Sequence, residues 1–179
     1  MPSLFYNLFI MPYLIVSDIH GSKKGMDRLL KAISIFKPDV VVLLGDLLHG
    51  GYDVDESYVA SKIKEIKVNK IAVKGNCDFE EDSFLLGLDM PLNRSLDIFG
   101  HTSHISHKPL SFCSFPPNDL LINGHTHVKC LYSEGGVIHL NPGSIAIPRD
   151  SSPSFALISK SIISLINADT MEEISHLDI

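Results

Sequence analysis

The sequence predicts an α/β fold: two mixed β-sheets packed face to face, with helices outside. Three observations carry this. Residues Val40–Leu44 form an unbroken run of valine and leucine, as in a parallel strand buried on both faces. Met26, Leu29, Leu30, Ile33 and Phe36 recur at helical spacing just before that run, so helix and strand alternate. The second half instead carries short apolar stretches in quick succession, divided by turns such as Gly135-Gly136 and Lys160-Ser161.

In chain order, Tyr13–Val16 reads as the first strand, introduced by Met11-Pro12. Ser22 is a candidate N-cap for the following helix, and Lys37-Pro38-Asp39 stops it. A second helix is expected over Ser57–Ile66, with Asp53, Asp55 and Glu56 favoured at its start by the macrodipole. Lys70–Val73 follows as a strand. Further strands are expected near Leu96–Phe99, Thr102–Ser106, Leu120–Ile122, Cys130–Ser133, Val137–Leu140, Ser154–Ser159 and Ile162–Asn167, in a largely antiparallel second sheet. No linker-like stretch divides the chain. One domain over residues 11–179 is expected, preceded by a flexible extension over residues 1–10.

Composition narrows the function classes. Of 179 residues 45% are hydrophobic, enough for a core. A net charge of −6 without a basic stripe argues against long nucleic acid as a partner. No apolar stretch approaches the ~20 residues of a membrane span. Cys77, Cys113 and Cys130 form no CxxC and no disulfide framework, which fits a reducing cytoplasm. An acidic chain that acts on an anion needs positive charge from elsewhere, and bound cations would supply it.

The chemistry lies at the ends of the apolar runs. Asp18-Ile19-His20 follows the first, Gly45-Asp46 the second, Gly75-Asn76 the third, and His125-Thr126-His127 follows Leu120–Ile122. Along an extended chain, side chains two apart leave on one side, so each i, i+2 pair could grip one ion. In open α/β sheets, ligands gather outside the carboxyl ends of the strands. Mixed carboxylate, amide and imidazole donors suit Mn, Fe, Zn or Ni better than Ca or Mg.

The ordered set Asp18-x-His20, Gly45-Asp46, Gly75-Asn76-Cys77-Asp78, Ser106-His107-Lys108-Pro109 and Gly124-His125-Thr126-His127 resembles the calcineurin-like metallophosphoesterases. Gly-Asn-Cys-Asp and the closing Asn141-Pro142-Gly143-Ser144 are similar to the small YfcE-like bacterial phosphodiesterases. The resemblance runs from Met11 to about Ser159. It implies a four-layer sandwich of two mixed sheets flanked by helices and a centre of two divalent metals, manganese foremost. Asp18, His20 and His127 would hold one ion; Asn76, His107 and His125 the other; Asp46 would bridge. Asp46, Asn76 and His107 would serve catalysis with a metal-bound hydroxide as nucleophile. Among His101, His104 and His107, the Ser-His-Lys-Pro setting at a strand end favours His107.

The implied activity is hydrolysis of small phosphodiesters. A phosphomonoesterase or nucleotidase with the same metals is the second reading. A non-catalytic scaffold is the third, since a retromer subunit of this fold serves in protein assembly with part of its metal set lost. His49, Cys77 and Lys108 are weaker candidates for contact with substrate. Many larger relatives carry a histidine where Cys77 stands, so leaving groups that need protonation should turn over poorly. Asp78 is expected to orient a ligand or cap a loop. Self-association is left open by the sequence.

Overall fold

The computed structural model describes residues 12–110 and 114–179. The expected extension over residues 1–10, the start at Met11 and Cys113 lie outside them. The first sheet holds β1 (Tyr13–Val16), β2 (Val40–Leu43), β3 (Asn69–Ala72), β9 (Ser154–Ile158), β10 (Ile162–Asn167) and β11 (Glu173–Asp178), in the order β11-β10-β9-β1-β2-β3. The second holds β4 (Asn93–Ile98), β5 (His101–Ser106), β6 (Leu120–Ile122), β7 (Cys130–Glu134) and β8 (Val137–Asn141), in the order β4-β5-β6-β8-β7. The helices are α1 (Lys23–Phe36), α2 (Glu56–Glu65) and α3 (Glu80–Leu86).

β1, β2 and β3 are parallel and β9 and β10 continue the sheet antiparallel. Alternation along β1 and β2 sorts the core. Leu14, Val16, Val41 and Leu43 face the helices, against Met26, Leu29, Val59, Ile63 and Leu86. Ile15, Val42 and Leu44 face the second sheet, against Ile105, Leu120, Ile122 and Leu140. Each such side chain stabilises the fold by about 1.5–3 kcal/mol on full burial. Ser22 caps α1 by accepting the Gly25 N–H at 3.1 Å, and Lys37 ends the helix in the left-handed region, φ 46°.

Two mixed sheets with helices outside is the expected architecture. All three helices pack on the first sheet, through Met26, Leu29, Val59, Ile63 and Leu86. The β1–β2 and β2–β3 crossovers step the same way, so right-handedness puts both helices on one side. Two details differ from the expectation. The second sheet is not largely antiparallel: β5, β6 and β8 are parallel, and only the edge strands β4 and β7 run against them. The long connection from Ile122 to Val137 lets β8 return parallel to β6, while Gly135-Gly136 makes the expected hairpin between β7 and β8. Finally, α3 and β11 were not foreseen. α3 buries only Asp82 and Leu86, and β11 is mostly exposed, so neither shows a clear apolar period. Among the described residues no helix is long and apolar enough to cross a membrane.

Candidate metal centre

The parallel runs β1–β2–β3 and β5–β6 send their carboxyl ends into one set of loops. Close backbone approach fixes those loops. Gly45, at φ 90°, passes so near Gly75 that a Cβ on it would strike the Gly75 nitrogen, and a Cβ on Gly75 would strike Asp46. This accounts physically for the glycine in both Gly-Asp and Gly-Asn. Asp78 then binds the loops together, accepting the N–H groups of Asp46, Leu47 and Gly75, each at 2.8 Å. Burial pushes the Asp78 carboxyl above its ordinary value, against the pull of those amides.

The i, i+2 pairs are not strand residues. Asp18, His20, His125 and His127 have φ of 57°, 51°, 67° and 61°, and Asp46 has 52°. These left-handed conformations are costly for residues with a Cβ and concentrate at functional sites. The extended-chain argument for the pairs is therefore corrected: tight turns present Asp18 and His20, while Ile19 between them is fully buried in the helix-side core.

The side chains meet in a small volume. His127 Nε2 lies 3.2 Å from Asp18 Oδ1 and 3.2 Å from His20 Nε2. His20 Nε2 lies 3.5 Å from Asp18 Oδ1 and 3.7 Å from Asp46 Oδ2. On the other side of Asp46, His107 Nε2 is 3.4 Å from Oδ2 and 3.1 Å from Asn76 Oδ1. Three groups could each hold an ion: Asp18, His20 and His127; Asp18, Asp46 and His107; and His20, Asp46 and Cys77.

A model of the calcineurin-like phosphoesterase superfamily domain matches residues 11–161. The chain belongs to this superfamily. It is 32% identical to phosphodiesterase YfcE of Escherichia coli K12 over 170 residues, covering 88% of this chain and 92% of that one. The solved structure of E. coli YfcE, a phosphoesterase, superposes with a TM-score of 0.88 at 28% identity, covering 94% of this chain and all of that one. Vacuolar protein sorting 29 from Cryptosporidium parvum shares the fold, with a TM-score of 0.67 at 20% identity over 96% and 98% of the two chains.

Calcineurin-like phosphoesterases bind divalent metal, and the donor atoms here fit a cation. The Nδ1 atoms of His20, His107 and His127 sit 2.5, 2.7 and 2.7 Å from the carbonyl oxygens of His49, Leu44 and Ile147. A carbonyl only accepts, so each Nδ1 carries the proton and each neutral ring turns an Nε2 lone pair inward. Three lone pairs and the carboxylates of Asp18 and Asp46 thus crowd together. Asp18 Oδ1 is buried with no hydrogen-bond partner. Only positive charge settles such a cluster. A proton is the alternative. Burial lowers the pKa of His20 and His107, but Asp18 beside the first and Asp46 beside the second carry both above the ordinary value. Burial resists ionisation of Asp18, yet the His127 and His20 rings hold its carboxyl well below the carboxylate range.

The structure brings Asp18, His20, Asp46, Asn76, His107 and His127 into this network. His125 stands at its margin: its ring packs against His107, centroids 5.1 Å apart, and its N–H donates to Asp18 Oδ2 at 3.1 Å, but its ring nitrogens join none of the three groups. His49 is paired on both sides of its ring, Nδ1 2.7 Å from Glu56 and Nε2 3.0 Å from Asp82. Its contribution is the carbonyl that fixes His20. Cys77 donates its N–H to Asp46 Oδ1 at 2.8 Å, and burial, then Asp46, push its thiol up to about 11. Lys108 is exposed beside His107. Ser144, the last residue of Asn141-Pro142-Gly143-Ser144, donates its hydroxyl to the Asp18 carbonyl and accepts from the Ala146 and Ile147 N–H groups. The supporting carbonyls of Leu44, His49 and Ile147 left no signal in the sequence, since any residue carries one.

Proposed function

We propose that residues 11–179 form a single metallophosphoesterase domain that hydrolyses small phosphodiesters with two divalent ions, manganese foremost. The observation that carries this reading is the inward convergence of three imidazole lone pairs and two carboxylates. The E. coli relative's name, phosphodiesterase, supports the choice of diesters. Asp18, His20 and His127 would hold one ion, and Asn76, His107 and His125 the other, with Asp46 between. When bound, the ions supply Lewis acidity toward a phosphoryl oxygen and lower the pKa of water.

The chain's own groups define the rest. The carbonyls of His49, Leu44 and Ile147 lock three rings so that no reorientation is needed during turnover. Asn76 is exposed beside His107, and Lys108, also exposed, adds positive charge next to it. A thiol with a pKa near 11 stays neutral at pH 7 and is a poor donor to a leaving oxygen. Aryl esters, whose leaving oxygens need no proton, should therefore outpace alkyl esters by at least about tenfold.

The experiment is a comparison of bis(4-nitrophenyl) phosphate, 4-nitrophenyl phosphate and dialkyl phosphates, with metal content measured, across Mn²⁺, Fe²⁺, Zn²⁺ and Ni²⁺. Metal-dependent cleavage fastest for the aryl diester is the expected result. A faster monoester would replace the reading with a phosphomonoesterase. Full metal occupancy without hydrolysis of any ester would leave a binding scaffold.

A further inference from the structure

Beside the centre opens a cleft of about 420 Å³, and Asn76 and His107 line it as well as the metal cluster. Its remaining wall is of another character. Leu92, Pro109 and Leu110 face it, with Lys74 and Lys108. Leu92 is 74% exposed and Leu110 37% exposed, so neither serves the core. Apolar side chains beside a cluster of convergent polar groups are the usual lining of a small-molecule pocket. The wall is also rigid. Asn93 pairs with Ser106 across β4 and β5, and continuing that register sets Leu92 opposite His107. The Lys74 N–H donates to the Pro91 carbonyl at 2.9 Å and ties this segment to the Gly75-Asn76 loop. The Lys74 ammonium is paired with Glu80, which leaves Lys108 as the cleft's cation without an ion pair among the described residues.

We propose that this cleft is the subsite for one ester arm of the substrate, and that the arm it takes is bulky and apolar, an aromatic ring being the simplest example. The inference rests on the phosphodiesterase reading and adds the substrate class. Small pockets of a few hundred Å³ with convergent polar groups at one side are the usual form of such sites. With phosphate at Asn76 and His107, an arm attached to phosphorus has the cleft as its neighbouring space. A ring laid on Leu92 and Leu110 buries enough apolar area to tighten binding about tenfold over a methyl group.

The test uses probes that cannot be hydrolysed. Dissociation constants of benzylphosphonate and methylphosphonate are measured by calorimetry on the manganese-loaded protein. Benzylphosphonate should bind about tenfold more tightly, and Leu92→Asp and Leu110→Asp should each bring the ratio toward one. Both side chains are solvent-accessible, so the substitutions leave folding intact; Phe84→Ser, on α3, should keep the ratio. Equal affinities in the parent protein, a ratio unmoved by both leucine variants, or no binding of either phosphonate would overturn the subsite. Hydrolysis of bis(4-nitrophenyl) phosphate by the same preparation separates the two levels. Cleavage without arm preference sinks the cleft alone, whereas no cleavage with any ion sinks the reading beneath it.

Discussion

Two groups of histidines contrast among the described residues, and only one gathers with carboxylates into groups that could hold a cation. At the strand ends, His20, His107 and His127 each give Nδ1 to a backbone carbonyl and turn Nε2 toward Asp18 or Asp46. On the outer face of the second sheet, His104 is satisfied on both sides, Nε2 2.9 Å from Asp119 and Nδ1 3.1 Å from Ser95. His101 Nδ1 meets the Asn118 carbonyl at 2.9 Å, and His139 stacks flat on Tyr132 at 4.6 Å. The residue types are the same in both places. The difference is what faces the second nitrogen. A ring pinned by a carbonyl offers its lone pair to a metal where carboxylates converge on it, as Asp18 and Asp46 do on His20, His107 and His127. His101 is pinned in the same way without such a partner among the described residues, and the His104 ring, shared between a hydroxyl and a carboxylate, keeps no lone pair free.

The sharpest way to break that comparison is to remove one carboxylate from each group. Asp46→Asn should lower metal-dependent kcat/KM by ~10³-fold or more, on the order of 4 kcal/mol, and should reduce bound metal. Asp119→Asn should leave both within about twofold, at a stability cost near ~1 kcal/mol for the hydrogen bond to His104. Equal losses in the two variants, both shown folded by circular dichroism, would mean that the two histidine groups are not distinct in role.

Metal removal gives the next largest effect. At a hundredfold excess over the dissociation constant, a cation stabilises by about 2.7 kcal/mol. For a chain of this length that is roughly 5–10 °C in Tm. Chelation should lower Tm by that amount in the parent protein and in Asp119→Asn, and by little in Asp46→Asn. A chelator shift that survives Asp46→Asn undiminished would place the stabilising ion elsewhere.

Asp78 tests whether the centre depends on its backing as well as its ligands. It touches no ion position, yet it accepts three amides from the two loops that carry Asp46 and Asn76. Asp78→Asn should cost about 2 kcal/mol of stability and weaken metal binding by roughly tenfold or more. The informative readout is the metal dissociation constant measured well below Tm. An unchanged constant in a destabilised variant would reduce Asp78 to a loop anchor.

Much of this was legible in the residues because burial and alternation leave marks. Val40–Leu44 announces a strand buried on both faces, and the structure sends Val42 and Leu44 to one core and Val41 and Leu43 to the other. Glycines before Asp46 and Asn76 are explained by the contact of their backbones. What stayed hidden had no sequence mark. α3 and β11 bury too little to show a period. Sheet membership of β9–β11 depends on which neighbour each strand finds, not on its composition. The left-handed turns at Asp18 and His127 do not follow from residue type, because neither position is glycine. The pairing of His49 with Glu56 and Asp82 likewise has no mark in the sequence.

An ion pair outside both histidine groups supplies the background against which their effects are read. Arg28 on α1 donates to both oxygens of Asp169 at 2.8 and 3.0 Å, and also to the Ile145 carbonyl. The guanidinium holds the Asp169 carboxyl below its ordinary value, with its slight burial acting against. A depressed carboxyl contributes stability above its unfolded pKa, about 3.9, and loses it as pH falls through the folded value. Asp169 is half exposed, so the contribution is that of a screened surface pair, under ~1 kcal/mol. Asp169→Asn should therefore lower Tm by about 1–3 °C at neutral pH, and the gap to the parent protein should close as pH falls below roughly 4. A gap that is constant with pH would mean that the contact works through packing of the Arg28 stem, and the same correction would then apply to every ion-pair effect measured at the centre.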